Sequence, residues 1–454
     1  MSTSFTDFIQ TLSYETLPGD IVAIMKRSLL DTIGVGAVGS TTKMSAITRQ
    51  FASEHMSAGP NGPGARLLFD GRVVSPVGAA MAGAFSIDSI DAHDGYSAVK
   101  GHAGSGVLPG VLAFVDALQR GGRKVSGREL LTALAIGYEI GYRSGLAMHA
   151  TCADYHTSGA WTAVGVAAAG AWLYGMDDNQ LRHAMGIAEY HGPRSQMMRC
   201  IDHPSMVRDG VGWGSPAGVS AAYMAQMGFT GAPAITVEGD DEITSRFWAD
   251  LGQRWEITNT HYKQYPVCRW AHPAIDAADK LMQLHDLTSS DIKRARIRTF
   301  HYASRLAGHE PQTLDELTYA LAFPMAIMIV KRKIGAEELV EKILHDPEIL
   351  RISRVTEIVD SDHYTKISTR QRWADVTLYL QDGREIQSEP NTPRGDPEDP
   401  LSDQEISAKF HLLADSVIGE KRATAIEERV TQVDDSDFDL EHLSGLVLAP
   451  VLTS

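Results

Sequence analysis

Cysteine is scarce. Only Cys152, Cys200 and Cys268 occur among 454 residues, an odd number, far apart and without a CxxC pair. That count argues against a disulfide framework or a zinc ribbon, and the spacing gives no support for an iron–sulfur cluster. No stretch reaches the roughly 18 uninterrupted apolar residues that a membrane span needs. Met1 to Gln10 has neither a basic start nor an apolar run, so no secretory signal is expected and the chain reads as cytoplasmic. Positive charge is also short: 41 Lys and Arg against 57 Asp and Glu leave a formal charge of −16. Nucleic acid and membrane are therefore not expected partners, because phosphate neutralisation needs clustered Lys and Arg. A small anion stays compatible, since a pocket can be locally basic on an acidic protein. There is no P-loop, no HExxH and no GxSxG, and GVGWGS at Gly210 to Ser215 lacks the third glycine and the preceding strand of a dinucleotide site.

What is present suffices for a large core. Hydrophobic residues make up 43% and charged residues 22%, too apolar for disorder, and the length allows about three domains or two large ones. The first half reads helical. Pro18 to Gly34 places Ile21, Ile24, Met25, Leu29 and Ile33 near a 3.6 period, with Gly34 positioned to end the helix. Ser126 with Glu129, and Asp177 with Gln180, form capping-box patterns before apolar runs. AVGVAAAGA at Ala163 to Ala171, and Gly137, Gly141 and Gly145 at i,i+4 spacing, predict buried helices in close approach. After about Tyr265 the pattern changes. Ile292 to Phe300 reads as a strand, and Val376, Leu378 and Leu380 alternate before an Asp382-Gly383 turn and a return over Glu385 to Ser388. Helices are expected at Leu314 to Lys331 and Ala336 to Leu344. Ser402 and Glu405 then cap a helix that returns to the first domain after the Pro-rich loop Glu389 to Asp403. Strands mixed with helices without a βαβ rhythm predict a small α+β domain.

Polar clusters stand out against this background. The densest runs from Asp88 to His102 and holds Asp91, His93, Asp94 and Lys100; others are Asp154-Tyr155-His156, His203 to Arg208, and His261-Tyr262-Lys263 followed by Cys268 and His272. A lone histidine is more often a core or surface residue, but several at the ends of buried helices point to chemistry. Asp91, His93, Asp94 and His102 can also be read as metal ligands, although no HxH or HxxxH pair fixes a geometry.

Six segments in order carry a resemblance over most of the chain. They are VGAAMAGAFSIDSIDAHDGY…GHAGSGVLPG (Val77 to Gly110), AIGYEIGYRSG (Ala135 to Gly145), Tyr155-His156-Thr157, GMDDNQLRHAMGIA (Gly175 to Ala188), KQYPVCRWAHPAIDA (Lys263 to Ala277) and VTLYLQDGREI…PRGDPEDPLSDQEISAKF. The sequence resembles the MmgE/PrpD family of methylcitrate dehydratases, cis-aconitate decarboxylases and iminodisuccinate epimerases. The resemblance implies a mainly α homodimer without metal or organic cofactor. Its large all-helical domain is built from residues 1–266 and 399–454, with a smaller α+β lid domain, 267–398, inserted between them. It implies a small polycarboxylate substrate and an interdomain cleft lined by Asp91, Asp94, His102, His156 and Lys263. Of the candidate residues, Asp91, His102, His156 and Lys263 are expected to be catalytic, and Asp94, Arg208, His93 and His272 to bind substrate.

Reactions of that family pass through a carbanion beside a carboxylate, which needs a base within reach and donors where charge builds up. The leading expectation is dehydration of a hydroxy-polycarboxylate such as 2-methylcitrate. Decarboxylation, epimerisation or mere carboxylate binding are alternatives. This chain departs from the family in having His93 for an acid, Gly95 for a hydroxyl residue, Arg208 for a lysine and Met325 for a tyrosine. Lys263 is expected at a cleft and not in the core, so that its replacement by alanine abolishes turnover and leaves the fold intact.

Overall fold

A computed structural model describes residues 4–60, 62–306 and 308–451, so Met1 to Thr3 of the N-terminal stretch lie outside it. Among these residues no helix is long and apolar enough to cross a membrane. Two hydrophobic cores form. One draws on residues between Phe8 and Tyr262 and again between Leu401 and Leu448; the other spans Val267 to Leu380 and takes in Met197, Cys200 and Ile201. The architecture is mainly α: a large helical body made from both chain ends, with a smaller α+β domain inserted.

The helical body follows its sequence signals closely. Ser126–Glu129, Asp177–Gln180 and Ser402–Glu405 all close as reciprocal capping boxes, each worth about 1 kcal/mol to its helix. Helix Gly159–Leu173 is buried almost end to end, and its Trp161 packs over Gly141 and Gly145 of Gly127–Thr151. One expectation fails at Gly34, because helix Gly19–Gly39 runs straight through it. The glycine serves a crossing instead: a Cβ there would lie 2.9 Å from the Phe410 ring of helix Asp403–Ile418. That crossing brings the C-terminal segment onto the first long helix, where Lys409 Nζ donates to Asp31 Oδ1 (2.6 Å) and to the carbonyl of Ala92 (2.7 Å). The body also holds a two-residue ribbon, Ala65–Arg66 against Val73–Val74.

In the inserted domain, Ile292–Thr299 pairs antiparallel with Ala374–Leu380, which pairs antiparallel with Glu385–Gln387. Ala295 sits opposite Leu378 and Ile297 opposite Val376, so the apolar face meets helix His272–Leu284. Thr356–Asp360 adds a parallel edge strand. Only its first residue is buried, so it offers no alternation to read. The helix expected over Leu314 to Lys331 breaks into Leu314–Thr318 and Ala322–Lys331. Pro324 lacks a backbone N–H, which is tolerated in the first turn of a new helix and not in the middle of a long one. Ala336 to Leu344 forms two 3₁₀ turns rather than a helix, because Leu339 and Val340 leave helical backbone between them.

Candidate active site

A cleft with about 480 Å³ of space, mouth included, opens where the two cores meet. The helical body contributes Asp91, Lys100, His102, Tyr155, Asp209, His261 and Lys263; the inserted domain contributes Arg269, Trp270, Tyr319 and Arg372. The loop carrying Asp91 to His102 joins helices Pro76–Asp88 and Gly104–Arg120. It is pinned by paired backbone bonds between Gly95 and His261 (3.0 and 2.7 Å). Asp91, Lys100 and Arg208 adopt left-handed backbone (φ +52°, +53° and +47°), a conformation that side-chain-bearing residues avoid. Strain of this kind persists only where surrounding contacts enforce it, and it gathers at functional sites.

Lys263 and Asp91 form the floor. Lys263 is fully buried, and its ammonium donates to Asp91 Oδ1 (2.5 Å) and to the Asp91 carbonyl (2.9 Å). An ammonium has three donors, so one remains for a ligand. This corrects the expectation that alanine at 263 spares the fold, because removal of the lysine strands a buried carboxylate.

His102 presents its imidazole in the cleft wall. Its Nδ1–H donates to the Asp94 carbonyl (2.5 Å), which fixes the tautomer and leaves the Nε2 lone pair 3.7 Å from Asp209 Oδ2. Burial, with Lys263 and two histidines nearby, holds His102 well below its ordinary pKa, so it is neutral. Asp209 behaves oppositely: burial, reinforced by Asp88 and Asp91, raises its pKa well above the ordinary carboxylate value, which favours the protonated form. Burial likewise pushes Asp88 up to about 7.

The remaining expected residues divide. His93 packs against the His102 ring (centroids 4.3 Å apart) and bonds Asp88 Oδ1 through Nε2 (3.0 Å), behind the cleft rather than in its wall. Burial lowers its pKa to about 3. Asp94 does not reach the cleft: its carboxylate accepts from the Gly104 N–H (2.9 Å) and the Tyr138 hydroxyl (2.7 Å), anchoring the helix start. His156 is absent from the wall, although its neighbour Tyr155 lines it. His272 is buried with Nε2 on the Val267 carbonyl (3.1 Å) and is likewise absent. Arg208 is committed to protein acceptors, Thr318 Oγ1 (2.5 Å), Asp315 Oδ1 (2.6 Å) and the Ser89 carbonyl (2.6 Å), so it clasps the inserted domain to the helical body.

The sequence did not single out Asp209, Tyr319 or Arg372. Met325 is core, while Tyr319, six residues earlier at the helix break, puts a phenol into the cleft whose hydroxyl has no protein partner among the described residues. Gly95 also acquires a reason: a Cβ there would stand 2.7 Å from both His102 Nδ1 and His261 Nε2. Gly95→Ala should cost about 1–3 kcal/mol in urea unfolding, with turnover falling as His102 is displaced. Wild-type stability and turnover together would show that neither ring depends on that space.

Two groups, Asp91/His93/His102 and Asp88/His93/Asp209, have donor atoms within 4.8 Å of one another, as a metal site requires. In both, protein contacts already engage atoms of the group: His93 on Asp88 and Lys263 on Asp91.

Comparison with known proteins agrees with this architecture. Residues 3–248 match the MmgE/PrpD N-terminal domain and residues 265–435 the MmgE/PrpD C-terminal domain. Relatives include a cis-aconitate decarboxylase-like protein oryM of Aspergillus oryzae, 25% identical over 97% of this chain and 96% of its own length. The cis-aconitate decarboxylase of Aspergillus terreus is 25% identical over 97% of this chain and 94% of its own length, and that of Homo sapiens is 24% identical over 98% and 94%. With both domains matched in order along the chain, the chain belongs to the MmgE/PrpD family.

Proposed function

We propose that this lyase-type enzyme decarboxylates a small unsaturated polycarboxylate of the cis-aconitate class. The observation that carries the reading is the constellation at the cleft floor: a Lys263–Asp91 ion pair beside a neutral His102 that faces a protonated Asp209. In cis-aconitate the carboxylate on the methylene arm leaves as CO2. Its C–C bonding pair forms a new double bond, and the old double-bond pair moves to the carbon beside the far carboxylate. One proton on that carbon completes methylenesuccinate. Lys263's third N–H and the Tyr319 hydroxyl donate to the carboxylate on which the charge collects, and such donors are worth most in a site shielded from water. His102 Nε2 relays the proton held by Asp209 to the carbanion. The likeness in both domains to proteins named for this reaction supports the reading.

Dehydration of a hydroxy-polycarboxylate such as 2-methylcitrate is a second reading, favoured by one feature. A protonated Asp209 is the acid a departing hydroxide needs, with His102 Nε2 as the base for the proton alpha to a carboxylate. Proton NMR in deuterated buffer separates the two. Methylenesuccinate carrying one deuterium beside its carboxylate, formed from cis-aconitate, establishes decarboxylation. Loss of water from 2-methylcitrate establishes dehydration. Neither product and no deuterium uptake from either compound would overturn carbanion chemistry on this substrate class.

A further inference from the structure

The cations around the cleft are not equivalent. Lys263 gives two of its three donors to Asp91, and Arg208 is spent on Asp315, Thr318 and Ser89. Arg269 is spent on Asp396 Oδ1 (2.7 Å) and on the carbonyls of Tyr262 (3.1 Å) and Arg394 (3.0 Å). Lys100 and Arg372 differ from these, since neither meets a carboxylate among the described residues although both line the cleft. Arg372 Nη1 donates only to the carbonyls of Ser368, Thr369 and Arg370, at 3.1 to 3.5 Å, and the guanidinium lies 5.8 Å from the centroid of the Phe300 ring. Lys100 Nζ stands 5.2 Å from the centroid of the Tyr155 ring, whose hydroxyl donates to the Lys100 carbonyl (2.8 Å).

Three features set this pair apart from solvated surface charge. Lys100 keeps left-handed backbone, so its presentation costs conformational energy. Its ammonium sits below its ordinary pKa, through burial first and the nearby Arg372 guanidinium second, while the Asp396 carboxylate is near enough to act on Arg372 without forming an ion pair with it. The pair also sits apart from the reacting end: Asp91 and Lys263 are buried at the floor, whereas Lys100 is exposed and Arg372 half-buried toward the mouth. His261, beside them in the wall, has no hydrogen-bond partner on either ring nitrogen among the described residues, and its Nδ1 lies 3.6 Å from Asp396 Oδ1.

Resting on the reading of this cleft as a carboxylate lyase site, we propose that Lys100 and Arg372 form an anion subsite at its mouth. The subsite takes the carboxylate farthest from the reacting carbon and so selects substrates carrying an additional, distal carboxylate. Lys100 comes from the helical body and Arg372 from the inserted domain, so an anchored substrate ties the two together. Guanidinium suits the task because its planar fork meets a carboxylate with two parallel bonds.

Calorimetric titration of the full chain with two unreactive probes tests this: propane-1,2,3-tricarboxylate, and methylsuccinate, which lacks one carboxylate. Charge-assisted hydrogen bonds predict tighter binding of the tricarboxylate by about 10- to 100-fold. Arg372→Met and Lys100→Met should each erase most of that preference while leaving methylsuccinate affinity unchanged, and Arg372→Lys should restore part of it. Lys100 is exposed, so its variant folds even if the arginine variant does not. A preference that survives Lys100→Met and Arg372→Met overturns the subsite, as does equal weakening of both probes. Equal wild-type affinity for the two probes overturns the subsite alone. Wild type binding neither probe overturns the carboxylate reading of the cleft together with it.

Discussion

Lys263→Met is expected to lower turnover by about 10³-fold, the scale on which removal of a preorganised donor acts, and to destabilise the fold in the same step. Both effects come from one geometry. The ammonium sits 2.5 Å from Asp91 Oδ1 with both side chains withdrawn from water. Breaking a buried pair from one side costs about 3–5 kcal/mol, because the remaining charge has neither solvent nor partner. The two effects separate in a double variant. Lys263→Met with Asp91→Asn removes both charges, so urea unfolding should return most of the lost stability, while turnover stays at the level of the single variant. Recovery of stability without recovery of activity assigns Lys263 its role at the reacting carboxylate. A double variant as active as wild type would reduce the pair to scaffolding, and a single variant of wild-type stability would show that Asp91 finds another partner.

The legibility of this site in the sequence follows the range of the contacts that build it. Asp91 and His102 lie eleven residues apart on one loop between two apolar helices, and that density of polar groups in apolar surroundings is readable. Lys263 was readable from its neighbours, although its depth was not. Nothing local says that the left-handed turn at Asp91 aims the carboxylate at a residue 172 positions away. Asp209, Tyr319 and Arg372 come from three widely separated segments, and only the packing of the two cores brings them to one wall. Arg208 shows the converse. As a sequence letter it was a fitting carboxylate clamp, yet Asp315, Thr318 and Ser89 take up its Nη groups. In the fold, the capping boxes were legible because each is settled within four residues. The role of Gly34 was not, because it depends on Phe410 arriving from the far end of the chain.

His102→Gln is expected to lower turnover by about 10²–10⁴-fold with little loss of stability, the range general acid–base catalysis supplies. Glutamine can keep a donor toward the Asp94 carbonyl, but it has no lone pair on a ring nitrogen to exchange protons with Asp209. Solvent deuterium should then cease to enter the product at the rate of turnover. Wild-type exchange by this variant would hand the proton to another group, with His261 next in the wall. The pH dependence gives an independent check. The relay needs His102 neutral and Asp209 protonated. Burial lowers the first pKa and raises the second, which widens the working window on both sides. Turnover should therefore hold below the ordinary histidine pKa of about 6.5 and fall on the alkaline side as Asp209 ionises. Asp88 sharpens the test. Its carboxylate accepts the Asp209 backbone N–H (3.1 Å), and its negative charge is one cause of the raised Asp209 pKa. Asp88→Asn keeps the shape and removes that charge, so Asp209 should release its proton more easily and the alkaline limb should move to lower pH. An alkaline limb that stays in place would show that Asp209 does not carry the proton.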